Sequence, residues 1–374
     1  MARVIKNTTP KKDGFRIPGE FEPHKGSIII WPEKGFAFRD GGKPAQEVCV
    51  IVANTIAEYE EMTVICSAAQ YENARVRLSE KVRVIEMSTN EAWAQDKGAF
   101  YVINDEDELR GVQFGFNAYG GLNEGLYFPW DLDKQFAQKL FELENIDSYD
   151  ARHFILEGGA TQVDGEGTII LTEQCNLNPN RNGDMSKEEI ERNCKEYLGL
   201  DKVIWIKRGM LYDETDGHID DICFFVRPGV IALSWVDDEN HPQYSVFKEA
   251  YDTLSKETDA RGRKFEIHKI YIPEIIYITE EENRGFDVVA DAAPRESNQP
   301  LAVTYINGCF INSAFLVPQF NDPRDQEAIK KYQEIMPDRK VIGLPTKEWS
   351  LSGGNIHCMT LAQPNHKFWE KKML

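Results

Sequence analysis

The sequence has no CxxC pair, and its seven cysteines (positions 49, 66, 175, 194, 223, 309 and 358) are odd in number and scattered. That pattern argues against a disulfide framework or a cysteine-built zinc site and suits reduced thiols. Long apolar runs are missing too. No stretch approaches the roughly 18 residues of a transmembrane helix. The opening MARVIKNTTPKKDG lacks the apolar core of a signal peptide, so the expected compartment is cytoplasmic. Positive charge is in deficit: 43 Lys and Arg stand against 62 Asp and Glu, a formal net charge of −19. Such a surface repels phosphate backbones and anionic lipid, which argues against nucleic acid and membrane partners and favours a small cation. HExxH and a second HxD-type cluster are absent, so no metal is expected. No Ser/Gly-rich linker or charge block divides the chain, and residues 1–374 are read as a single domain.

What is present is enough for a large core, with 41% hydrophobic and 11% aromatic residues. One unit recurs: a β-hairpin, an amphipathic helix, then a β-strand, which predicts an α/β fold. AFYVI-NDEDE-LRGVQFGF, ATQV-DGEG-TIILT, HIDDICFFV-RPG-VIALSWV and LAVTYI-NGC-FINSAFLV read as four hairpins, two with Asp164-Gly165 and Pro228-Gly229 in their turns. The clearest helix spans 186–198. Ser186 and Glu189 make a capping box, and Ile190, Cys194, Tyr197 and Leu198 form its apolar stripe. Helices are also predicted at 44–60, 132–145, 243–256 and 323–335, with strands at TVICS, VIWI, EIHKIYI and KVIGLP. Asp96, Glu157 and His218 are spaced 61 residues apart, each at the entry to a hairpin. Repeats of that length suit a circular arrangement whose entry loops meet on one axis.

Four stretches carry groups with chemistry. In TDGHIDD, a strand beginning at His218 would place Asp220 on the same face and Ile219 on the other. A surface ion pair would look the same. LEGGATQVDG sets Glu157 before Gly158-Gly159, a pair that permits close backbone approach or positive φ. In NEAWAQDKGAF, one helical turn would put Trp93 and Asp96 on one face, a flat ring beside a carboxylate. In SGGNIHC, Cys358 follows His357; neighbours in an extended segment face opposite ways, so His218 is the expected base and His357 is set aside. Read alone, Cys358 also fits a buried structural thiol. Together, one thiol, one imidazole and carboxylates at 96, 157 and 220 suit a guanidinium, whose N–H groups pair with carboxylates in a plane. The residues lead to a thiol-based enzyme acting on a cationic amidine or guanidine.

GFRIPGEFEPHKGSIIIWPE, NEAWAQD, FNAYGGL, GLYFPW, FILEGG, TDGHIDD, VPQF and GGNIHC, running from residue 14 to 358, together resemble the agmatine deiminases of the guanidine-modifying pentein superfamily. The resemblance implies a five-bladed α/β propeller with pseudo-fivefold symmetry, commonly assembled as a homo-oligomer. It implies Cys358 as nucleophile, His218 as general acid/base, and Asp96 and Asp220 as the carboxylates holding the guanidinium. Glu157 then lies beside the histidine, Trp93 is an active-site aromatic, and Glu214 is an acid for the substrate's far amine. The implied reaction converts agmatine and water to N-carbamoylputrescine and ammonia through a covalent thiouronium, without metal or organic cofactor. No arginine in the motif loops is evident for a substrate carboxylate, which favours agmatine over arginine.

The chain departs from the family pattern Trp-x-Arg-Asp-x-Gly-Pro with Gln95 and Ala99; Tyr119 and Ser352 also differ. Loss of the arginine is expected to disturb Asp96 and reduce activity, and Lys97 adds a cation beside a cation-binding residue. The alternatives are a weakly active or non-catalytic paralogue that binds a guanidine or polyamine, and a deiminase acting on arginine or peptidyl-arginine.

Overall fold

The computed structural model describes residues 2–106 and 108–373. Its strands form five separate sheets of three or four strands, a mixed α/β fold. Each sheet combines an antiparallel pair with a parallel neighbour, and a parallel pair needs a long crossover, here a helix. Val230–Trp235, for example, pairs in parallel with Glu266–Tyr271 across the helix Tyr244–Leu254. That helix buries Val246, Phe247, Ala250 and Leu254 in one cluster with Ile231 and Leu233. Burial of each large side chain of that kind contributes about 1.5–3 kcal/mol.

The predicted elements form close to their expected bounds. The helices are Lys43–Ile56, Phe136–Glu144, Lys187–Leu198, Tyr244–Leu254 and Asp325–Ile335. The Ser186–Glu189 capping box is made in both directions, and Gly199 ends that helix at φ 66°. Two hairpins differ from the reading. Residues 301–306 form no strand; the fourth hairpin is Cys309–Ile311 with Ala314–Gln319, and its turn lies at 312–313, where Ser313 has φ 61°. His218 does not open a strand. Ile219–Asp221 is a 3-10 turn, and the strand begins at Cys223.

The fifth sheet joins the two ends of the chain. Thr360–Pro364 pairs antiparallel with His24–Ile30, which pairs in parallel with Glu61–Cys66. This places the segment carrying Cys358 at the entry to a strand of an antiparallel pair, the position that the other candidate residues hold in their own sheets. The corresponding strands of the five antiparallel pairs, four of them hairpins, are Ala99–Ile103, Gln162–Val163, Cys223–Arg227, Cys309–Ile311 and Thr360–Pro364. The loops just before them carry Asp96, Glu157, His218, Asn307 and Cys358.

Candidate active site

All five of those side chains are buried and converge, although they come from segments that the sequence spaces by dozens of residues. Trp93, Asp96, Tyr119, Glu214, His218, Asp220 and Cys358 line one small, closed pocket of about 20 Å³, room for about one water molecule. Glu157 stands behind His218, with its Oε2 3.7 Å from His218 Nε2. The structure thus brings together every site residue expected from the sequence.

Gly159 sits where the loops cross. Neither it nor Gly158 takes a positive φ, so the pair serves close approach. A Cβ at Gly159 would lie 2.6 Å from His218 Nδ1, 2.9 Å from Asp220 Oδ2 and 3.1 Å from Asp96 Oδ1. Its N–H donates to Asp96 Oδ1 at 2.8 Å and its carbonyl accepts from Asp220 N–H at 3.2 Å. Asp96 is fixed on its other oxygen by the Tyr119 hydroxyl at 2.9 Å. Gln95 takes no part in either contact; its amide reaches Glu20 at 3.1 Å. Lys97 points away from the pocket, fully buried with Nζ 2.6 Å from the Glu91 carbonyl and 3.5 Å from Asp133. The expected cation beside the substrate position is therefore not there.

Cys358 lies in the short helix Ile356–Met359, not in an extended segment. Asn307 holds it: Nδ2 approaches Sγ at 3.1 Å and donates to Asp220 Oδ2 at 3.2 Å and to Asp221 Oδ1 at 3.0 Å. Asp220 Oδ2 is 3.4 Å from the thiol and accepts from His357 Nδ1–H at 2.8 Å. The other oxygen, Asp220 Oδ1, is buried with no hydrogen-bond partner, and so is His218 Nε2. A buried polar atom left alone costs about 1–3 kcal/mol, so the unpartnered oxygen of Asp220, whose other oxygen is 3.4 Å from the thiol, marks a place kept for a ligand.

The electrostatics follow from this packing. Burial, and then the charges of Asp220, Asp221 and Asp96, hold the Cys358 thiol well above its ordinary range. Burial opposes the charge of His218, but Asp96 and its neighbours Cys175 and Glu157 outweigh that and keep the imidazole protonated. Glu157 is likewise buried, yet the Arg181 guanidinium, with Nε 2.6 Å away, and His218 hold its carboxyl down at about 2. Asp220 stays ionised against its burial because of the bond from His357. Glu157, Cys175 and His218 offer ligand atoms within 4.8 Å of one another, but Arg181 already supplies the positive charge there.

Glu214 lies at the pocket rim and is already paired, by Arg295 Nη1 and at 3.4 Å by Gln299. Arg295 Nη2 also donates to the Ser352 carbonyl at 2.7 Å. Arg295 lies outside the motif loops, in which no arginine for a substrate carboxylate is evident, and Glu214 cancels its charge. Sequence reasoning also missed Asn307, Arg181, Tyr119, Glu20 and the part played by His357. The repeat itself could have found Asn307, which occupies the entry loop of the fourth hairpin.

A thiol, a protonated imidazole and buried carboxylates, one oxygen of Asp220 unpartnered, around a small pocket make the equipment of a thiol-dependent enzyme for a planar cation. A family model for Porphyromonas-type peptidyl-arginine deiminases matches residues 16–364, and the chain belongs to that family, among its agmatine deiminases. It is 47% identical over 358 residues to the agmatine deiminase of Pseudomonas aeruginosa, covering 96% of this chain and 97% of that one. A Listeria monocytogenes protein, named provisionally as an agmatine deiminase, is 51% identical over 358 residues, covering 96% of this chain and 99% of that one. The solved structure of Enterococcus faecalis agmatine deiminase superposes with a TM-score of 0.95 at 43% identity, covering 97% of this chain and all of the other.

Proposed function

We propose that this protein hydrolyses the guanidinium group of agmatine to N-carbamoylputrescine and ammonia. The observation that carries the chemistry is one pocket lined by Cys358, His218, Asp96 and Asp220, with Asp220 Oδ1 buried and without a hydrogen-bond partner. The substrate assignment rests on the agmatine deiminases that this chain resembles and on the acidic rim.

The steps follow from the geometry. A guanidinium settles against Trp93 with its N–H groups on Asp96 and Asp220 Oδ1. Its charge offsets the carboxylates that hold the thiol protonated, so the Cys358 pKa falls as substrate binds. Asp220 Oδ2, 3.4 Å from Sγ, is the acceptor in reach of the thiol proton. The thiolate attacks the guanidinium carbon. His218, kept protonated by Asp96 and Glu157, gives its proton to the departing ammonia, leaving an S-alkylthiouronium on Cys358. The now neutral His218 takes a proton from water as that water attacks the same carbon, and collapse frees the ureido product and the thiol. The guanidinium and the thiouronium are both cations, so fixed carboxylates orient and stabilise the bound substrate and the covalent intermediate. At the far end, the ammonium takes Glu214 from Arg295 as the rim opens.

The same proposal includes the finer architecture: five sheets as the blades of a pentein propeller around this pocket, forming one domain, since side chains from residue 93 to residue 358 meet there. No helix among the described residues is long and apolar enough to cross a membrane. We place the enzyme in the cytoplasm, as a homo-oligomer, on the same resemblance.

A colorimetric ureido assay comparing agmatine, arginine and a blocked arginyl peptide tests the function. Agmatine is expected to be turned over fastest, and Cys358→Ser to lower that rate by more than about 10³-fold while the fold is kept. A preference for arginine or the peptide overturns the substrate. Turnover undiminished in Cys358→Ser overturns the nucleophile.

A further inference from the structure

Behind the substrate pocket, on the far side of Gln95, lies a second cavity of about 80 Å³ lined by Glu20, Glu22, His24 and Gln95 among others. The two cavities share no lining residue. A single line of side chains joins them. Glu20 lines the rear cavity, Asp220 lines the substrate pocket, and His357 is buried between them. His357 Nδ1–H donates to Asp220 Oδ2 at 2.8 Å, and Nε2–H donates to both Glu20 oxygens, at 2.9 and 3.0 Å. Both ring nitrogens face carboxylates, so the ring between them is an imidazolium with each N–H committed.

Asp220 depends on this ring. Its Oδ2 has one other N–H donor, Asn307 Nδ2, whose two hydrogens serve three acceptors: Asp220, Asp221 and Cys358. His357 alone brings Asp220 an undivided donor and a full positive charge. Without it, only the shared Asn307 amide is left to set which Asp220 oxygen faces the thiol and which stays free for substrate.

We infer that Glu20 and His357 form a positioning pair for the proposed reaction: Glu20 orients the imidazolium from the rear cavity, and His357 fixes Asp220 so that Oδ2 faces Cys358 and Oδ1 remains open to the guanidinium. The inference rests on the roles proposed above for Asp220 and Cys358. His357 touches no reacting atom, and its adjacency to Cys358 in the sequence is incidental to the role. Glu20, with its side chain 29% exposed, is the end of the line that meets water.

Two substitutions at one position separate positioning from packing. Asn carries its amide nitrogen at the place of His Nδ1, toward Asp220; Gln carries it at the place of Nε2, toward Glu20. His357→Gln is expected to lower kcat/KM for agmatine by about 10- to 100-fold, the loss typical of partners that orient a ligating group. Both a lower kcat and a higher KM should contribute, because Asp220 meets substrate in ground and transition states. His357→Asn, although the smaller side chain and the poorer space filler, should keep clearly more activity than His357→Gln. Glu20→Gln should cost several-fold. Circular dichroism and melting curves accompany each variant. A Gln variant as active as the Asn variant, or both within twofold of the parent, overturns the pair. If both His357 variants fail to fold, Glu20→Gln decides: kinetics unchanged from the parent overturn it. A parent enzyme without turnover would instead refute the proposed function, so the two failures are told apart.

Discussion

Replacing Arg181 by Met removes the one guanidinium that accompanies Glu157 into the interior. Both side chains are essentially buried, at 1% and 2% exposure, and Arg181 also bridges Asp216 at 2.7 Å and the Thr215 carbonyl at 2.9 Å. The carboxyl of Glu157 lies at about 2 in the folded protein against 4.5 for a free glutamate, held there chiefly by Arg181 in opposition to burial. That difference corresponds to roughly 3 kcal/mol, in line with the 3–5 kcal/mol lost on average when one partner of a buried ion pair is deleted. At about 2.1 cal/mol/K of unfolding entropy per residue, a chain of 374 residues should then melt about 4 °C lower at pH 7. The pH dependence follows from the direction of the shift. A carboxyl depressed on folding contributes stability above its unfolded value of 4.5, and that contribution disappears as the pH falls toward 2. Calorimetry of parent and Arg181→Met from pH 8 down to pH 4 should therefore show the gap narrowing below about pH 5. A variant that melts with the parent at pH 7, or a gap that widens on acidification, would show that Arg181 does not hold the charge of Glu157.

Three further outcomes test the pocket itself. A Cβ at Gly354 would stand 2.7 Å from Trp93 and 3.1 Å from Cys358 Sγ, so Gly354→Ala should lower kcat/KM by about 100-fold, and near-normal kinetics would remove Trp93 and Cys358 from a shared site. Asp220→Asn takes away the nearest negative charge on the thiol; it should speed iodoacetamide labelling of Cys358, followed by mass spectrometry, while lowering agmatine turnover about 10²- to 10³-fold, and slower labelling would contradict the electrostatic account. Gln95→Arg restores the residue usual in the family and is expected to raise kcat/KM; equal rates with Asp96 unmoved would show that the departure at this loop costs no activity.

The sequence made the repeat legible because hairpins and helices obey short-range rules. A Pro-Gly or Asp-Gly turn, a capping box and an apolar stripe each act within a few residues, so Asp164-Gly165, Pro228-Gly229 and Ser186–Glu189 signal their elements directly. The reading failed where a local signal had two solutions. Residues 301–306 alternate like a strand yet form none, and TDGHIDD tightens into a 3-10 turn before its strand begins. The 3-10 turn still delivers His218 and Asp220 to one pocket, so the conclusion held although the geometry behind it did not.

By itself the sequence determined the α/β unit, its repetition, and the set of a thiol, an imidazole and carboxylates at hairpin entries. Tertiary structure alone decided which of those groups meet and what governs their charge. Asn307 joins the site only because its sheet takes its place among the others. Arg181 sets Glu157 across 24 residues, and His357 reaches Glu20 across 337. The physical reason is range: backbone hydrogen bonding and side-chain patterning are fixed within a turn or a strand, whereas a proton's affinity for a buried group depends on every charge packed against it, wherever in the chain that charge arose.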